Sequence, residues 1–282
     1  MTTTMYDDRP CQLGEGPLWH PERQQFFWFD ITGKRLLSRK DDEQLDWQFK
    51  EQSSAAGWID SQTLLIATET GLRRFDIESG AHELVVPLEP GNSVTRSNDG
   101  RADPMGGFWI GTMGKNAEAQ AGAIYRFHRG AVERLVSQVT VPNAMCFSPD
   151  GRLAYYADTV TEQIMVQPLD AEGWPEGPAE VFVDLRQDGL KPDGAVVDSE
   201  GGLWNAHWGA GQVARYRPDG TFDRAIKVPG SQSTCPAFGG PELDIMYITT
   251  ARQGLSDPDA AQGLTYSTNP GVMGQAEHKV IA

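Results

Sequence analysis

Cysteine is scarce in this sequence, with three residues among 282 that are widely separated and odd in number: Cys11, Cys146 and Cys235. Disulfide-stabilised domains carry dense, even-numbered cysteines, and structural zinc sites need closely spaced cysteine and histidine ligands. The five histidines are scattered and form no His-Glu-x-x-His pair. The sequence therefore predicts neither a disulfide framework nor a structural zinc site.

Basic residues are also outnumbered, with 24 Lys and Arg against 39 Asp and Glu, which gives a net charge of −15. Binding to nucleic acid or to an anionic membrane surface requires a basic face, so neither partner is expected. No apolar run approaches the roughly 18 residues of a membrane span, and residues 1–8 lack the basic and apolar parts of a secretory signal. Together with the few cysteines, these absences favour a cytoplasmic protein.

Helical periodicity is missing too, since no apolar stripe with a period of 3.6 residues extends over twelve residues. The chain instead contains short aromatic and β-branched runs, such as residues 25–29, 63–67, 107–110 and 246–249. Turn-forming residues separate these runs, and the sequence has 31 glycines and 18 prolines. This pattern is typical of strands joined by tight turns, so we predict an all-β fold.

A turn-forming residue precedes an apolar strand six times along the chain. Six residues upstream of each turn lie Glu15, Ala55, Asn98, Asn143, Asp193 and Cys235. Their spacing of roughly 40 to 50 residues is typical of propeller blades, whereas a β-sandwich is the alternative for regularly spaced strands. Because the same offset recurs six times, we predict one six-bladed β-propeller domain over residues 1–282, with blades starting near these six positions.

The repeat places four oxygen-bearing side chains at the innermost strand of a blade: Glu15, Asn98, Asn143 and Asp193. They should converge at one mouth of the central channel, where two carboxylates would repel each other unless a cation lies between them. Carboxylate and amide oxygens suit Ca²⁺, Mg²⁺ or Mn²⁺. Taken alone, each of these residues could simply form a turn, since Asn and Asp before Gly often do. This alternative is weaker when four such residues occupy equivalent positions around the ring.

Eight ordered motifs resemble the regucalcin/gluconolactonase (senescence marker protein) family. They are LGEGPLW (13–19), RSNDG (96–100), FWIGTM (108–113), PNA (142–144), FSPDG (147–151), PDG (192–194), DSEGGLW (198–204) and FGGPELD (238–244). The resemblance covers residues 13–253 and implies a six-bladed propeller that holds one divalent cation, whether Ca²⁺, Mg²⁺, Mn²⁺, Zn²⁺ or Fe²⁺. It implies metal ligands at Glu15, Asn143 and Asp193, and substrate contacts at Arg96, Asn98 and Glu118.

The resemblance further implies hydrolysis of a sugar-acid lactone, either an aldonolactone or an aldarolactone, to the open-chain acid. Asp193 is then the expected general base, with a metal-bound hydroxide as the alternative nucleophile. Arg96 suits an anionic substrate, but an ion pair with Asp99 or Asp103 would occupy it equally well. The alternatives for the whole protein are a promiscuous metal-dependent esterase or phosphotriesterase, and a non-catalytic metal-binding propeller.

The chain departs from the family pattern near its end, where residues 260–282 are shorter than expected. We expect blade six either to be trimmed or to be closed by the N-terminal segment. Such a change would alter the edge of the propeller and would leave the predicted metal site unchanged.

Overall fold

The computed structural model describes residues 2–282, and the strands of this range follow one another with few other elements. They are β1 (Thr4–Asp7), β2 (Gly14–His20), β3 (Gln25–Asp30), β4 (Arg35–Lys40), β5 (Glu43–Gln48), β6 (Ser53–Asp60), β7 (Thr63–Thr68), β8 (Gly71–Asp76), β9 (His82–Pro87), β10 (Thr95–Ala102), β11 (Phe108–Gly114), β12 (Gly122–His128), β13 (Ala131–Val139), β14 (Pro142–Phe147), β15 (Leu153–Asp158), β16 (Gln163–Pro168), β17 (Glu180–Asp184), β18 (Lys191–Val197), β19 (Leu203–Trp208), β20 (Gln212–Tyr216), β21 (Phe222–Lys227), β22 (Gln232–Gly239), β23 (Ile245–Ala251) and β24 (Thr265–Thr268). A 3₁₀ turn, Thr159–Thr161, follows β15. Within residues 2–282 no helix has the length and apolar character needed to cross a bilayer.

The strands form six antiparallel sheets of four strands each, and in five of these sheets the four strands are consecutive in the chain. The first strands of the sheets, β2, β6, β10, β14, β18 and β22, contact one another in sequence, and β22 contacts β2 again. A ring of this kind is a six-bladed β-propeller, with the first strand of each blade on the central channel. The predicted fold class is confirmed, and each predicted blade start falls within one of these inner strands.

Apolar side chains pack between the blades rather than at the channel. Six buried clusters each join two neighbouring blades. For example, Phe27 and Phe29 of β3 pack with Ile66 of β7, whereas Trp109 of β11 packs with Phe147 of β14. Burial of large apolar side chains on both faces of each inner strand stabilises the ring. The channel is therefore left to polar side chains.

The N-terminal strand closes the ring. β1 pairs antiparallel with β24, so that Thr4 lies opposite Ser267 and Met5 opposite Tyr266. The sheet order is β1-β24-β23-β22, which makes the start of the chain the outermost strand of the sixth blade. Of the two expectations for the short C-terminal region, closure by the N-terminal segment is the one found.

Residues 269–282 cross the propeller beneath the inner strands instead of forming another strand. Gly274 bridges to Asp198 in blade five, and Lys279 bridges to Trp58 in blade two. The Ile281 amide donates to the Gly106 carbonyl at 2.9 Å. We call residues 274–281 the C-terminal strap, because they connect blades that are distant in sequence.

Every inner strand contains a β-bulge, at which its pairing register with the next strand shifts. The shifts lie between Glu15 and Leu18, Ser53 and Ala55, Ser97 and Gly100, Asn143 and Cys146, Pro192 and Ala195, and Ser233 and Pro236. A bulge interrupts the strict alternation of side chains and redirects those at the insertion. The six bulges thus turn residues of the inner strands toward the channel axis.

Candidate functional site

A cavity of about 480 Å³ opens at one mouth of the channel. Five of the side chains predicted from the sequence line it together: Glu15, Arg96, Asn98, Asn143 and Asp193. They come from blades one, three, four and five, and only closure of the ring brings them together. A cavity of this volume with a few convergent polar groups is typical of a small-molecule site.

The bulges explain how these side chains reach the cavity. Glu15 and Asn143 are the last paired residues before their bulges, whereas Asn98 and Asp193 are the first unpaired residues within theirs. The four positions are therefore not strictly equivalent: relative to the bulge, Asn98 and Asp193 lie one residue later than Glu15 and Asn143. A regular strand could not direct residues of both registers to the same side, so the site depends on the bulges.

Two residues beside the site adopt left-handed backbone conformations. Gly16, directly after Glu15, has a φ of 53°, and a Cβ atom there would lie 2.1 Å from the Ser54 carbonyl oxygen. Only glycine fits such a position. Ala144, directly after Asn143, is fully buried with a φ of 61°. This conformation is unfavourable for alanine, and strain of this kind is concentrated at functional sites.

Glu15 and Asp193 form a pair of buried carboxylates, 5% and 4% exposed. Burial raises the pKa of Glu15 to about 8, with a further contribution from the nearby Asp99 carboxylate. Burial and the Glu15 carboxylate raise the pKa of Asp193 well above its ordinary value. None of the ion pairs formed by residues 2–282 involves either carboxylate. Two adjacent carboxylates without a cation fit the requirements of a divalent metal ion.

Hydrogen bonds orient the amide of Asn143. Its Nδ2 donates to Thr159 Oγ1 at 2.8 Å, and its Oδ1 accepts from Asn98 Nδ2 at 3.0 Å. One lone pair of Oδ1 is left for a further partner, because a carbonyl-type oxygen accepts two hydrogen bonds. No cluster of three or more His, Cys, Asp and Glu suited to a metal is found in the described chain. The donor set here is instead two carboxylates and one amide oxygen.

Asn98 is held at both ends of its amide. Its Oδ1 accepts from Arg96 Nη1 at 2.8 Å, whereas its Nδ2 donates to Asn143 Oδ1 and to the Pro142 carbonyl at 2.9 Å. The amide therefore joins blade three to blade four and fixes which end of Asn143 faces the cavity. The geometry gives Asn98 a positioning role in addition to its place on the cavity wall.

Arg96 forms no ion pair in the part of the chain that the structure describes. Asp99 accepts from the Gly100 and Met145 amides, both at 2.8 Å, and Asp103 binds Arg126 Nε at 2.7 Å. The hypothesis that Asp99 or Asp103 occupies Arg96 is therefore wrong. Burial lowers the pKa of Arg96 to about 10, so the guanidinium stays charged at neutral pH.

Glu118 lies beside the cavity rather than on its wall. Its carboxylate accepts from the Asn116 amide at 3.0 Å and from Asn116 Nδ2 at 2.9 Å. The neighbouring Ala117 is the residue of this loop that lines the cavity. The structure thus leaves Glu118 at the edge of the group formed by the other five predicted residues.

Several lining residues were missed from the sequence, among them Lys191, Trp208 and Gln253. Lys191 lies two residues before Asp193 and opposite Trp208 in the register of β18 and β19. Proximity to the PDG motif was the available signal for Lys191. The sequence offered no comparable signal for Gln253, which lies in the loop after β23.

The opposite end of the channel contains a different arrangement of charges. Arg101 Nη1 binds Glu277 Oε1 of the C-terminal strap, and Arg101 Nε donates to the Met145 carbonyl at 3.2 Å. The Glu277 carbonyl in turn accepts from Trp58 Nε1 at 2.8 Å. This buried cation has its own carboxylate partner, in contrast to the carboxylates at the open mouth.

Comparison with known proteins places this geometry in a family context. The family model for the SMP-30/gluconolactonase/LRE-like region matches residues 13–252. A Rhizobium meliloti protein named as a candidate sugar lactone lactonase is 40% identical over 94% of this chain and 92% of its own length. A 6-deoxy-6-sulfogluconolactonase from Pseudomonas putida is 33% identical over 95% of both chains. The solved structure of a calcium-binding protein, regucalcin, from Agrobacterium tumefaciens superimposes with a TM-score of 0.97 at 39% identity, covering 100% of this chain and 98% of its own.

Proposed function

The chain belongs to the SMP-30/gluconolactonase/LRE-like family, and on that premise we propose that it hydrolyses sugar-acid lactones to open-chain acids with the help of a divalent cation. It is an enzyme of the gluconolactonase type, which is supported by lactonase relatives that align over nearly the whole chain. The observation that carries metal dependence is the pair of buried carboxylates, Glu15 and Asp193, which form no ion pair within 4.0 Å among residues 2–282.

Glu15, Asn143 and Asp193 would hold the cation, with Oδ1 of Asn143 as the amide donor. When bound, the cation would supply a Lewis acid that polarises the lactone carbonyl. Oxygen donors alone favour Ca²⁺, Mg²⁺ or Mn²⁺ over metals that prefer sulfur or imidazole ligands. Zn²⁺ and Fe²⁺ remain part of the proposed set, because cellular supply also determines which metal occupies such a site.

Asp193 would accept a proton from the attacking water, whose oxygen forms a bond to the lactone carbonyl carbon. The ring C–O ester bond then breaks, and the proton held by Asp193 passes to the oxygen of the departing hydroxyl group. The position of Asp193 on the cavity wall supports this role, because it places the carboxylate in the same cavity as the other proposed metal ligands and substrate contacts.

Arg96 would donate from the nitrogens that Ser97 and Asn98 leave free to oxygen atoms of the sugar. Asn98 would contribute a contact from the cavity wall and hold the orientation of Asn143. Glu118 would contact only the outer part of a bound sugar, since its carboxylate lies beside the cavity. The proposed partner is therefore a small-molecule sugar lactone, and the three free buried cysteines support a cytoplasmic location.

The decisive experiment is a substrate and metal screen with metal-stripped protein. Ca²⁺, Mg²⁺, Mn²⁺, Zn²⁺ and Fe²⁺ are added back one at a time, and kcat/KM is measured for aldonolactones, aldarolactones, aryl esters and organophosphates. We expect metal-restored turnover with sugar lactones as the best substrates. Higher kcat/KM for aryl esters or organophosphates would instead support an esterase or phosphotriesterase, and tight metal binding without turnover would support a non-catalytic propeller.

A further inference from the structure

Two cationic side chains that line the cavity form no ion pair with a carboxylate of the described residues. Arg96 and Lys191 both line the cavity, and neither has a carboxylate oxygen within 4.0 Å among residues 2–282. Most other arginines at the channel and on the blades are paired, as Arg101 is with Glu277 and Arg126 with Asp103. Charges left unpaired in a ligand cavity are available to a charged ligand.

The two cations differ in exposure and come from different blades of the propeller. Arg96 is 6% exposed in blade three, and Ser97 and Asn98 already accept from its Nη1. Lys191 is exposed at the start of the inner strand of blade five. Asn143 and Thr159 of blade four lie between them, because Thr159 Oγ1 accepts from Asn143 and donates to the Pro192 carbonyl at 2.7 Å. A ligand that spans the cavity would therefore contact the buried guanidinium with one part and the exposed ammonium with another.

The backbone at Lys191 is held in place even though its side chain is exposed. Pro192 restricts the backbone directly after it, and its carbonyl is fixed by Thr159. The partly buried Trp208 is the register partner of Lys191 across β18 and β19. The ammonium therefore extends from a rigid anchor at the cavity, where a flexible loop would place it less reliably.

A neutral sugar lactone would offer this ammonium hydrogen-bond acceptors but no opposite charge. Lys191 lies two residues from Asp193, so a cation bound to Asp193 would repel it, and an anion between the two positive charges would relieve that repulsion. Among residues 2–282, Glu162 is the one carboxylate that lines the cavity in addition to Glu15 and Asp193, and it forms no ion pair with Lys191.

We propose that Lys191 is a specificity-determining residue that binds an anionic substituent of the lactone, at the end of the substrate remote from the reacting ester. The substituent would be a carboxylate, sulfonate or phosphate group, since each presents anionic oxygens to an ammonium. This inference rests on the proposed lactonase function and specifies the substrate class of the same site.

The test compares kcat and KM for lactones with and without such a group, in the wild-type protein and in Lys191→Gln. The anionic substrates are a glucarolactone, 6-phosphogluconolactone and 6-sulfogluconolactone, and the neutral ones are gluconolactone and galactonolactone. Because an exposed ion pair contributes little, we expect Lys191→Gln to raise KM for the anionic lactones about three- to tenfold, with kcat and the neutral lactones nearly unchanged. The three anionic arms determine which oxyanion is preferred.

Matched variants separate a local contact from a general charge effect. Lys227→Gln removes an exposed lysine from the outer strand of the same blade and should leave every KM unchanged. Glu162→Gln removes a negative charge from the rim and should lower KM for the anionic lactones. Rising ionic strength should raise that KM in the wild-type protein and less so in Lys191→Gln.

An unchanged preference between anionic and neutral lactones in Lys191→Gln would overturn the inference while leaving the lactonase proposal intact. Absence of turnover with every lactone and metal in the wild-type protein would overturn the proposed function itself.

Discussion

The two ends of the propeller channel use buried charge in opposite ways. At the open mouth, Glu15 and Asp193 line a cavity of about 480 Å³ and form no ion pair among the described residues. At the other end, Arg101 is bound by Glu277, and the C-terminal strap covers the pair. Both ends are built from the same inner strands, so the difference lies in which charges are compensated within the protein.

The contrast shows which end contributes stability and which end is available for binding. A buried ion pair whose remaining hydrogen-bonding groups are satisfied tolerates its desolvation, whereas an uncompensated pair of carboxylates requires either protons or a cation. The open mouth is therefore destabilising until it is occupied, and the strapped end keeps the ring closed in either state.

The largest effect is expected at the open mouth, for Asp193→Ala. Removing this carboxylate should lower kcat/KM for the best lactone by at least about 10³-fold, since a proposed metal ligand and proton acceptor are lost together. Metal binding by calorimetry should disappear as well, while the thermal unfolding midpoint of the metal-free protein should not fall. Metal-dependent turnover retained by the variant would contradict the assignment of Asp193.

At the strapped end, Glu277→Ala should leave a buried guanidinium without its partner and destabilise the protein by about 3–5 kcal/mol. Chemical unfolding measures this loss, and the activity of the protein that remains folded should be preserved. The double variant Arg101→Met/Glu277→Met should recover most of the stability, because no buried charge is then unpaired.

A surface pair provides the control for that experiment. Asp184 and Arg186 lie 2.5 Å apart, but their side chains are 39% and 61% exposed. Asp184→Ala should therefore destabilise the protein much less than Glu277→Ala, because exposed ion pairs contribute little to stability. Equal losses at Glu277 and Asp184 would show that the strap does not depend on its buried charge.

The uncompensated carboxylates should also make the metal-free protein sensitive to pH. The pKa of Glu15 is raised from its ordinary value of 4.5 to about 8. Its contribution to stability is therefore present below pH 4.5 and is lost as the pH rises through 8, by an amount on the order of a few kcal/mol. Glu15→Gln should flatten this decline in thermal unfolding and make the metal-free protein more stable at pH 8.

Saturating divalent cation is the control for the pH experiment, since it should remove the decline in the wild-type protein and have little effect on Glu15→Gln. A wild-type protein whose metal-free stability rises between pH 5 and pH 8 would contradict the description of the open mouth.

The smallest effect concerns Asn98, which orients Asn143. Asn98→Ala should weaken metal binding roughly 10- to 100-fold, because residues that orient a metal ligand typically contribute to affinity on that scale. Glu118→Gln, measured in the same calorimetric titration, should change metal affinity less than about twofold. A change in KM alone for Asn98→Ala would return Asn98 to the purely substrate-binding role suggested by its family resemblance.

Much of this architecture was predictable from local sequence. Short apolar runs between turn residues indicated strands, and the offset that links Glu15, Asn143 and Asp193 indicated blades of similar length. These features are readable because turn chemistry and strand alternation act over a few residues. The motifs around the same residues also identified the family and the candidate metal ligands.

Other features could not be predicted, because they depend on contacts between distant segments. The partner of Arg101 lies 176 positions away in the strap, and nothing near Glu277 in the sequence indicates that it enters the channel. The absence of an ion pair at Arg96 could not be predicted either, because Asp99 and Asp103 are close to it in sequence but bind other groups in the fold. Whether a charge is paired is a property of the packed ring.

The sequence by itself determined the blades, the family and five of the residues that line the cavity at the open mouth, because each depends on a repeated local pattern or motif. The tertiary structure alone decided three features: the one-residue difference in where the site residues lie relative to their bulges, the closure of blade six by β1, and the position of Glu277 at the end of the channel covered by the C-terminal strap. It also decided which charges remain uncompensated, since desolvation and ion pairing depend on distances that only the closed ring sets. The function proposed here rests on those uncompensated charges.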